Sequence, residues 1–153
     1  MKLINSSTIE FTWQKLILLV VMIFSISLFW MPTTLAVSTV NEIKVSLGNS
    51  GGELKFFPSR IQLETGKSYS LRLDNPSPVK HYFTSKDFAD ASWTKKVQVG
   101  QVEVKGAIHE LELKPGAAAD WVLTPMKPGA YELHCSIPGH ATAGMVGEIV
   151  IIN

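Results

Sequence analysis

Tyr131–Gly147, near the end of the chain, reads YELHCSIPGHATAGMVG and contains three side chains that bind soft metal ions. Cys135 is followed five residues later by His140, and His140 is followed five residues later by Met145. Thiolate, imidazole and thioether ligands together select copper, whereas zinc rarely uses methionine. The proline and the glycines of this segment allow a short loop to fold back, so that the three side chains can converge on one ion.

This ligand set needs a second imidazole from elsewhere in the chain, and His81 is the best candidate. It lies in the segment VKHYF, between the apolar residues Val79 and Phe83. Because side chains alternate between the two faces of a strand, His81 is predicted to point inward with these two neighbours. The same alternation places Cys135 on one face with Leu133. The predicted metal ligands are therefore His81, Cys135, His140 and Met145.

Alternating apolar and polar residues predict an all-β domain after the N-terminal segment. In Ser68–Asp74, for example, Tyr69, Leu71 and Leu73 alternate with polar residues. Pairs such as Gly-Gly, Asn-Pro and Pro-Gly separate the short strands, which is typical of a two-sheet antiparallel β-sandwich. Lys86–Lys96 lacks this alternation and is predicted to form a short helix or an irregular excursion. The other predicted strands are Glu42–Leu47, Leu54–Phe57, Arg60–Leu63, Glu110–Leu113, Ala119–Leu123, Ala130–Cys135 and Val146–Ile152.

The N-terminal segment has a different character from the rest of the chain. Leu16–Met31 carries no charge over sixteen residues, and lysines precede it. This is the layout of a secretory signal, with cleavage expected after Ala36. An uncleaved membrane anchor is the alternative, although a spanning helix needs about 20 apolar residues. We therefore predict a signal peptide or membrane anchor over 1–36 and a single domain over 37–153, exported to a periplasm or a photosynthetic lumen.

The composition fits one globular domain and gives no sign of nucleic-acid binding. Of the 153 residues, 46% are hydrophobic and 18% are charged, and the formal net charge is +1. A nucleic-acid partner is not expected, because the chain has no basic excess. Cys135 is the single cysteine, so no internal disulfide can form. A free thiol in an oxidising compartment is explained if it is buried or bound to a metal.

With these residues in place, the chain resembles the type 1 copper proteins of the cupredoxin family, which includes plastocyanin, azurin and rusticyanin. The C-x4-H-x4-M spacing is similar to the ligand loop of rusticyanin. Phe56–Asn75 reads FFPSRIQLETGKSYSLRLDN and is followed six residues later by His81, a pattern that resembles the first half of the family. The resemblance covers about 42–153. It implies a Greek-key β-sandwich with one mononuclear copper ion used for electron transfer.

One position departs from the pattern of plastocyanin and azurin. These proteins place Asn directly after the first ligand His, where it ties the two ligand loops together, whereas this chain has Tyr82. The resemblance therefore leaves open the hydrogen bonding near the site, and with it the reduction potential and the colour. The departure removes no ligand.

The other histidines, methionines and tryptophans that stand out are interpreted as structural. His134 adjoins the cysteine, but alternation places it on the opposite face, at the surface. His109 lies two and four residues before Leu111 and Leu113, so alternation places it on their face of the strand and predicts that it is partly buried. Met126 falls in a turn, where packing is expected rather than metal binding. Trp93 and Trp121 are expected to pack in the core or in the irregular excursion.

The predicted function is electron transfer through a Cu(II)/Cu(I) couple. The thiolate of Cys135 is expected to form the short covalent bond, and His81 and His140 to complete a trigonal set. Met145 is expected at longer range, where it tunes the potential. The edge of His140 is expected to reach the surface, where an apolar patch would dock redox partner proteins through a small interface. The predicted patch comprises Pro138, Ala141, Ala143 and Val146. We expect a monomer.

Three other functions are considered. Copper storage, delivery or tolerance is the first alternative, although the chain has only Met126 and Met145 after position 36 and four histidines in all. Catalysis by this chain alone is not expected, because multicopper oxidases and nitrite reductases need further copper centres and domains. A binuclear copper site would need a second cysteine. A metal-free binding module is disfavoured by the complete ligand set.

Overall fold

The computed structural model describes residues 13, 15–19 and 40–153. The described positions before 20 are helical. The remainder of the predicted signal or anchor segment, 1–36, and its boundary with the domain lie outside the described residues. No helix in the described part of the chain is long and apolar enough to cross a membrane.

Between positions 40 and 153 the chain forms two β-sheets, which confirms the predicted all-β sandwich. The elements are β1 (Asn41–Leu47), β2 (Phe56–Phe57), β3 (Arg60–Glu64), β4 (Tyr69–Asp74), β5 (His81–Thr84), α1 (Lys86–Asp90), β6 (Ser92–Val99), β7 (Val102–Val104), β8 (Glu110–Leu113), β9 (Ala118–Pro125), β10 (Gly129–His134) and β11 (Val146–Ile152). One sheet has the order β2-β1-β4-β9-β6-β7 and the other the order β3-β11-β10-β5-β8. Non-consecutive neighbours show that the chain crosses repeatedly between the two sheets.

The sheets are mixed, which corrects the predicted antiparallel pairing. β1 runs parallel to β4, with Ile43 opposite Leu71, and β11 runs parallel to β3, with Ile149 opposite Ile61. Hairpins produce antiparallel neighbours, whereas parallel neighbours need a longer connection. Each parallel pair here is joined through strands of the opposite sheet, so the crossing connections account for the mixed pairing.

Trp121 is among the largest fully buried side chains of the core between the sheets, in agreement with its expected packing. Its indole packs edge-on against Phe83 and Phe88, with ring centroids 5.9 and 5.7 Å apart. The indole N–H donates a hydrogen bond to the Thr94 hydroxyl at 3.1 Å, so the buried polar end of the ring is satisfied. Because Phe83 lies two residues after His81 in β5, this aromatic cluster fixes the strand that carries one predicted ligand.

Two strands, β6 and β7, have no clear pattern in the sequence. The predicted helix within Lys86–Lys96 is confirmed for α1, but β6 begins at Ser92, where a strand was not expected. A bulge between Thr94 and Lys96 shifts the pairing of β6 with β9, and an extra residue of this kind breaks the two-residue alternation. Trp93 precedes the bulge, alternates with the buried Thr94 and is 60% exposed, so its predicted packing is wrong.

Three other local predictions need correction. β2 covers only Phe56–Phe57 of the predicted Leu54–Phe57. β5 begins at His81, so Val79 lies outside the strand and is exposed rather than directed inward. His109 precedes β8 and is also exposed, with its Nε2 2.7 Å from a carboxylate oxygen of Asp90. Residues just outside a strand need not continue its alternation, and the extrapolated alternation misplaced these two side chains.

Gly147 in β11 lies against the backbone of the short connection between β2 and β3. A Cβ at this position would be 2.6 Å from the carbonyl oxygen of Ser59 and 3.3 Å from Leu133 Cδ2. That carbonyl is held in place, because it accepts a hydrogen bond from the Glu148 N–H at 2.8 Å.

We expect Gly147→Ala to lower the free energy of unfolding by about 1–3 kcal/mol, because the added methyl group overpacks a backbone contact that cannot relax freely. Denaturant unfolding measures this loss. The control is Gly51→Ala, where the nearest atom to the new Cβ is the side-chain Oδ1 of Asn49 at 3.3 Å. A change within about 0.5 kcal/mol is expected there. Equal losses in the two variants would contradict the assignment of close packing to Gly147.

Candidate metal centre

Cys135 lies one residue beyond β10, on the core side of the sheet, and is 1% exposed. Its backbone N–H donates to the carbonyl oxygen of Met145 at 3.1 Å, so the two ends of the loop between β10 and β11 are joined beside the thiol. The loop therefore begins and ends at predicted ligands, and its closure is a backbone contact rather than a side-chain contact.

The structure brings the thiol and the two predicted imidazoles together. The Cys135 Sγ atom lies 3.5 Å from Nδ1 of His140 and 3.9 Å from Nδ1 of His81. The ligand atoms of the three residues all lie within 4.8 Å of one another. The two imidazole rings are tilted by 58°, with centroids 5.2 Å apart. One ion lying among the three atoms can therefore contact all of them.

Met145 lies beside this cluster and is fully buried. Its N–H donates to the His140 carbonyl oxygen at 2.9 Å, and its own carbonyl oxygen accepts from Cys135. These two bonds hold the methionine between the other two ligands of the loop. The four predicted ligand residues are arranged like a type 1 copper site, while the role of each residue stays a prediction.

The ligand loop is shaped by its own hydrogen bonds and by two glycines. His140 N–H donates to the Ile137 carbonyl at 3.0 Å, and Ala143 N–H donates to the Gly139 carbonyl at 3.0 Å. Gly139 and Gly144 have φ angles of +87° and +108°, in the region that side-chain-bearing residues rarely adopt. The loop is thus turned back on itself by its own backbone hydrogen bonds.

His81 enters from the neighbouring strand β5 and is completely buried. Burial lowers its pKa, and repulsion from His140 lowers it further. The neutral imidazole favoured in this way is the form that binds metals. Its Nδ1 faces the thiol, whereas its Nε2 is buried and has no hydrogen-bond partner among the described residues. The ring is therefore placed for coordination through Nδ1.

The contacts of Tyr82 show how the hydrogen bonding near the site is made where plastocyanin and azurin have Asn. Its backbone N–H donates to Cys135 Sγ at 3.4 Å, so the contact to sulfur does not depend on the side chain. The phenol points the other way, where its hydroxyl donates to a carboxylate oxygen of Glu112 and accepts from Lys80.

A different residue, Asn75, links the segment before His81 to β8. Its buried amide donates to the carbonyl oxygens of Val79 and Leu113 at 2.9 and 2.8 Å.

The donor set fits copper. A buried thiol, two imidazole Nδ1 atoms and an adjacent buried thioether combine soft and borderline ligands, the combination found in mononuclear copper sites with His₂Cys and a weak axial Met. This is the one group of His, Cys, Asp and Glu residues within 13, 15–19 and 40–153 whose ligand atoms lie close enough together to hold a metal ion. No second metal site of that kind competes with it in this range.

The residues interpreted as structural lie away from the cluster. His134 is half-buried on the face opposite the thiol, as predicted, with its Nδ1 3.0 Å from a carboxylate oxygen of Glu132. Met126 is 55% exposed, so the packing expected for it is limited. The sequence interpretation missed the contributions of Asn75 and the Tyr82 N–H to the site. Backbone contacts and buried amides of this kind leave no spacing pattern in a sequence.

Comparisons with known proteins agree with this geometry. A family model described as a cupredoxin-like domain matches residues 20–151. The copper-resistant cuproprotein CopI of Rubrivivax gelatinosus is 29% identical over 102 residues, which cover 64% of this chain and 60% of that protein. Plastocyanin of Mercurialis perennis is 24% identical over 109 residues, which cover 71% of this chain and 99% of that protein. The chain therefore spans less than two thirds of CopI.

Solved structures share the fold at low sequence identity. Auracyanin from Roseiflexus castenholzii has a TM-score of 0.54 at 19% identity, over 75% of this chain and 99% of that chain. Copper nitrite reductases and a multicopper oxidase share the fold as well, and this chain covers 31% or 32% of their length. The fold thus occurs both in small single-domain proteins and in larger copper enzymes.

We expect Cys135→Ser to abolish the intense visible absorption of the copper-loaded protein, because that band arises from charge transfer between the thiolate and copper. Visible spectra recorded after addition of one equivalent of copper measure the effect. The matched control is His134→Ala, which changes the adjacent residue on the opposite face and should retain the band. A band that survives in Cys135→Ser would show that the thiol is not a ligand.

Proposed function

The chain belongs to the cupredoxin family, and from that premise we propose that it is a copper protein that transfers single electrons. The observation that carries the proposal is the position of the buried Cys135 Sγ, 3.5 Å and 3.9 Å from the Nδ1 atoms of His140 and His81. Bound copper would supply a Cu(II)/Cu(I) couple. The protein's part is to hold the donors in nearly one arrangement, so that little reorganisation accompanies the change of charge.

Several contacts support the proposed rigidity. Cys135 and Met145 are joined by a backbone hydrogen bond of 3.1 Å, and the Met145 N–H is bonded to His140. The Tyr82 N–H donates to the sulfur from the neighbouring strand. A hydrogen bond to a thiolate stabilises its negative charge and lowers its electron donation to a metal. Such bonds around a sulfur ligand tune the reduction potential.

The proposed contact with redox partners is the surface around His140. His140 is half-buried, and the predicted patch beside it is open, because Pro138 and Ala143 are exposed, Ala141 is half-buried and Val146 is 46% exposed. A small apolar surface over one ligand suits brief encounters, since electron-transfer complexes bury little area. We propose that partner proteins dock here and that the chain acts as a monomer.

Copper handling is the second candidate, and the similarity to CopI favours it. That relative is described as a copper-resistant cuproprotein, and it matches 64% of this chain. The donor set is compatible with either role, because the ligands that give a suitable redox couple also bind copper firmly. The two functions differ in whether copper stays in the site while electrons pass or is itself passed on.

Catalysis by this chain alone is not part of the proposal. Cupredoxin domains occur in multicopper enzymes as well as in small carriers, and the enzymes that share this fold are about three times as long as the matched region. Within the described residues, one group of three or more His, Cys, Asp or Glu side chains lies close enough together to hold a metal ion.

We propose that the chain is exported to a periplasm or a photosynthetic lumen. The order of charged and apolar residues supports 1–36 as the signal or anchor.

We expect Val146→Lys to slow electron self-exchange about tenfold or more, because two identical patches that face each other would then bring like charges together. The rate is measured by NMR line broadening in mixtures of the oxidised and reduced protein, at low ionic strength. The visible band should be unchanged. The control is Val102→Lys, at a 61% exposed position of β7, which should exchange electrons like the wild type.

The same samples separate the two candidate functions. Electron transfer predicts fast self-exchange in the wild type and retention of copper in the presence of a competing chelator. Slow self-exchange combined with ready transfer of copper to the chelator would favour copper handling instead. Equal rates in Val146→Lys and Val102→Lys would contradict the proposed patch while leaving the copper site itself intact.

A further inference from the structure

We infer that Gly48 is a positioning residue for the copper ligand His81, an inference that rests on the proposed function. Gly48 follows β1, is buried, and has a φ angle of +75°. Its N–H donates to the Lys55 carbonyl at 2.8 Å, so the start of the loop between β1 and β2 is fixed to its end. Gly48 thus occupies a defined place on the side of the imidazole away from the thiol.

A side chain at position 48 has no room. A Cβ built there would lie 3.0 Å from Cβ of Ser77, 3.1 Å from the carbonyl oxygen of Glu53 and 3.1 Å from Nε2 of His81. These separations are shorter than ordinary van der Waals contacts, so at least one of the three neighbours would have to move. The absence of a side chain at position 48 is therefore what allows the imidazole to sit where it does.

Two of these three neighbours are held by hydrogen bonds. Ser77 is buried, and its N–H donates to Oδ1 of Asn75 at 2.9 Å. Glu53 belongs to a loop closed by Asn49, whose Oδ1 accepts from the Gly51 and Glu53 N–H groups at 3.0 and 3.1 Å. The His81 Nε2, in contrast, has no hydrogen-bond partner in the described part of the chain. The ring is therefore the neighbour least restrained against displacement.

The opposite edge of the same ring faces the sulfur, with Nδ1 3.9 Å from Cys135 Sγ. A group that presses on Nε2 pushes the ring toward the ligand cluster or tilts it, because the side chain is completely buried and cannot swing outward. Gly48 acts through His81 and does not itself touch the metal-binding atoms. Its role is to leave the imidazole in the orientation from which Nδ1 can coordinate.

The test compares Gly48→Ala with Gly52→Ala in the full chain. Gly52 lies in the same loop and has a φ angle of +78°, but no atom lies within 4 Å of a Cβ built there. Both variants therefore carry the backbone strain of an alanine in the left-handed region, and only Gly48→Ala adds the contact with His81. Gly66→Ala, with the same φ of +78° and the same open space in a different loop, is a second control.

Two measurements read out the position of the ring. In the copper-free protein, the ring C–H resonances of His81 should shift in Gly48→Ala and stay near their wild-type positions in the two controls. In the copper-loaded protein, Gly48→Ala should displace the visible band and weaken copper binding about tenfold or more, as expected when a group that orients a ligand is disturbed. Gly52→Ala and Gly66→Ala should keep the wild-type band and affinity.

Coincident His81 resonances in Gly48→Ala and Gly52→Ala would overturn the inference. If the wild type shows no visible band, the proposed function fails, while the copper-free resonances still decide whether Gly48 positions the ring. If Gly48→Ala does not fold, Gly48→Ala/Ser77→Gly removes the contact at 3.0 Å and keeps the one to His81. The double variant should then show displaced His81 resonances, and wild-type resonances would contradict the inference.

Discussion

A buried thiol that faces two imidazole nitrogens is the arrangement on which the rest of the structure depends. Cys135 and His81 are almost completely removed from solvent, and burial of polar groups is unfavourable unless they find partners. The Tyr82 N–H supplies one partner to the sulfur, and the two Nδ1 atoms lie at 3.5 and 3.9 Å. Three metal-binding atoms that face one another in this way make chemical sense when a metal ion lies among them.

The β-sandwich provides this convergence because several connections meet at one end of it. The loop between β10 and β11 carries three of the predicted ligands, and β5 supplies the fourth, His81. The loop after β1 closes behind the ring of His81 through Gly48. Each segment is held by backbone or buried amide hydrogen bonds rather than by exposed ion pairs, which contribute little stability. The site is therefore shaped by the fold.

The sequence predicts the sandwich and the residues that meet at the site, because both leave periodic or fixed spacings. Cys135, His140 and Met145 follow one another at fixed intervals, and alternation in one strand is enough to direct His81 inward.

Other features leave no such pattern. Strand β6 is missed because a bulge near Lys95 breaks its two-residue alternation. Gly48 is missed because its importance lies in contacts with Ser77 and Glu53, which depend on how distant segments pack. The resemblance left the hydrogen bonding at Tyr82 open, and the structure shows that the backbone N–H of this residue donates to the sulfur.

We propose that one copper ion is bound by the sulfur of Cys135 and by Nδ1 of His81 and His140. X-ray absorption at the copper edge of the loaded wild-type protein tests it most directly, because it reports the atoms bonded to the metal. We predict one short bond to sulfur and two bonds to imidazole nitrogen. A first shell of nitrogen and oxygen alone, without sulfur, would contradict it.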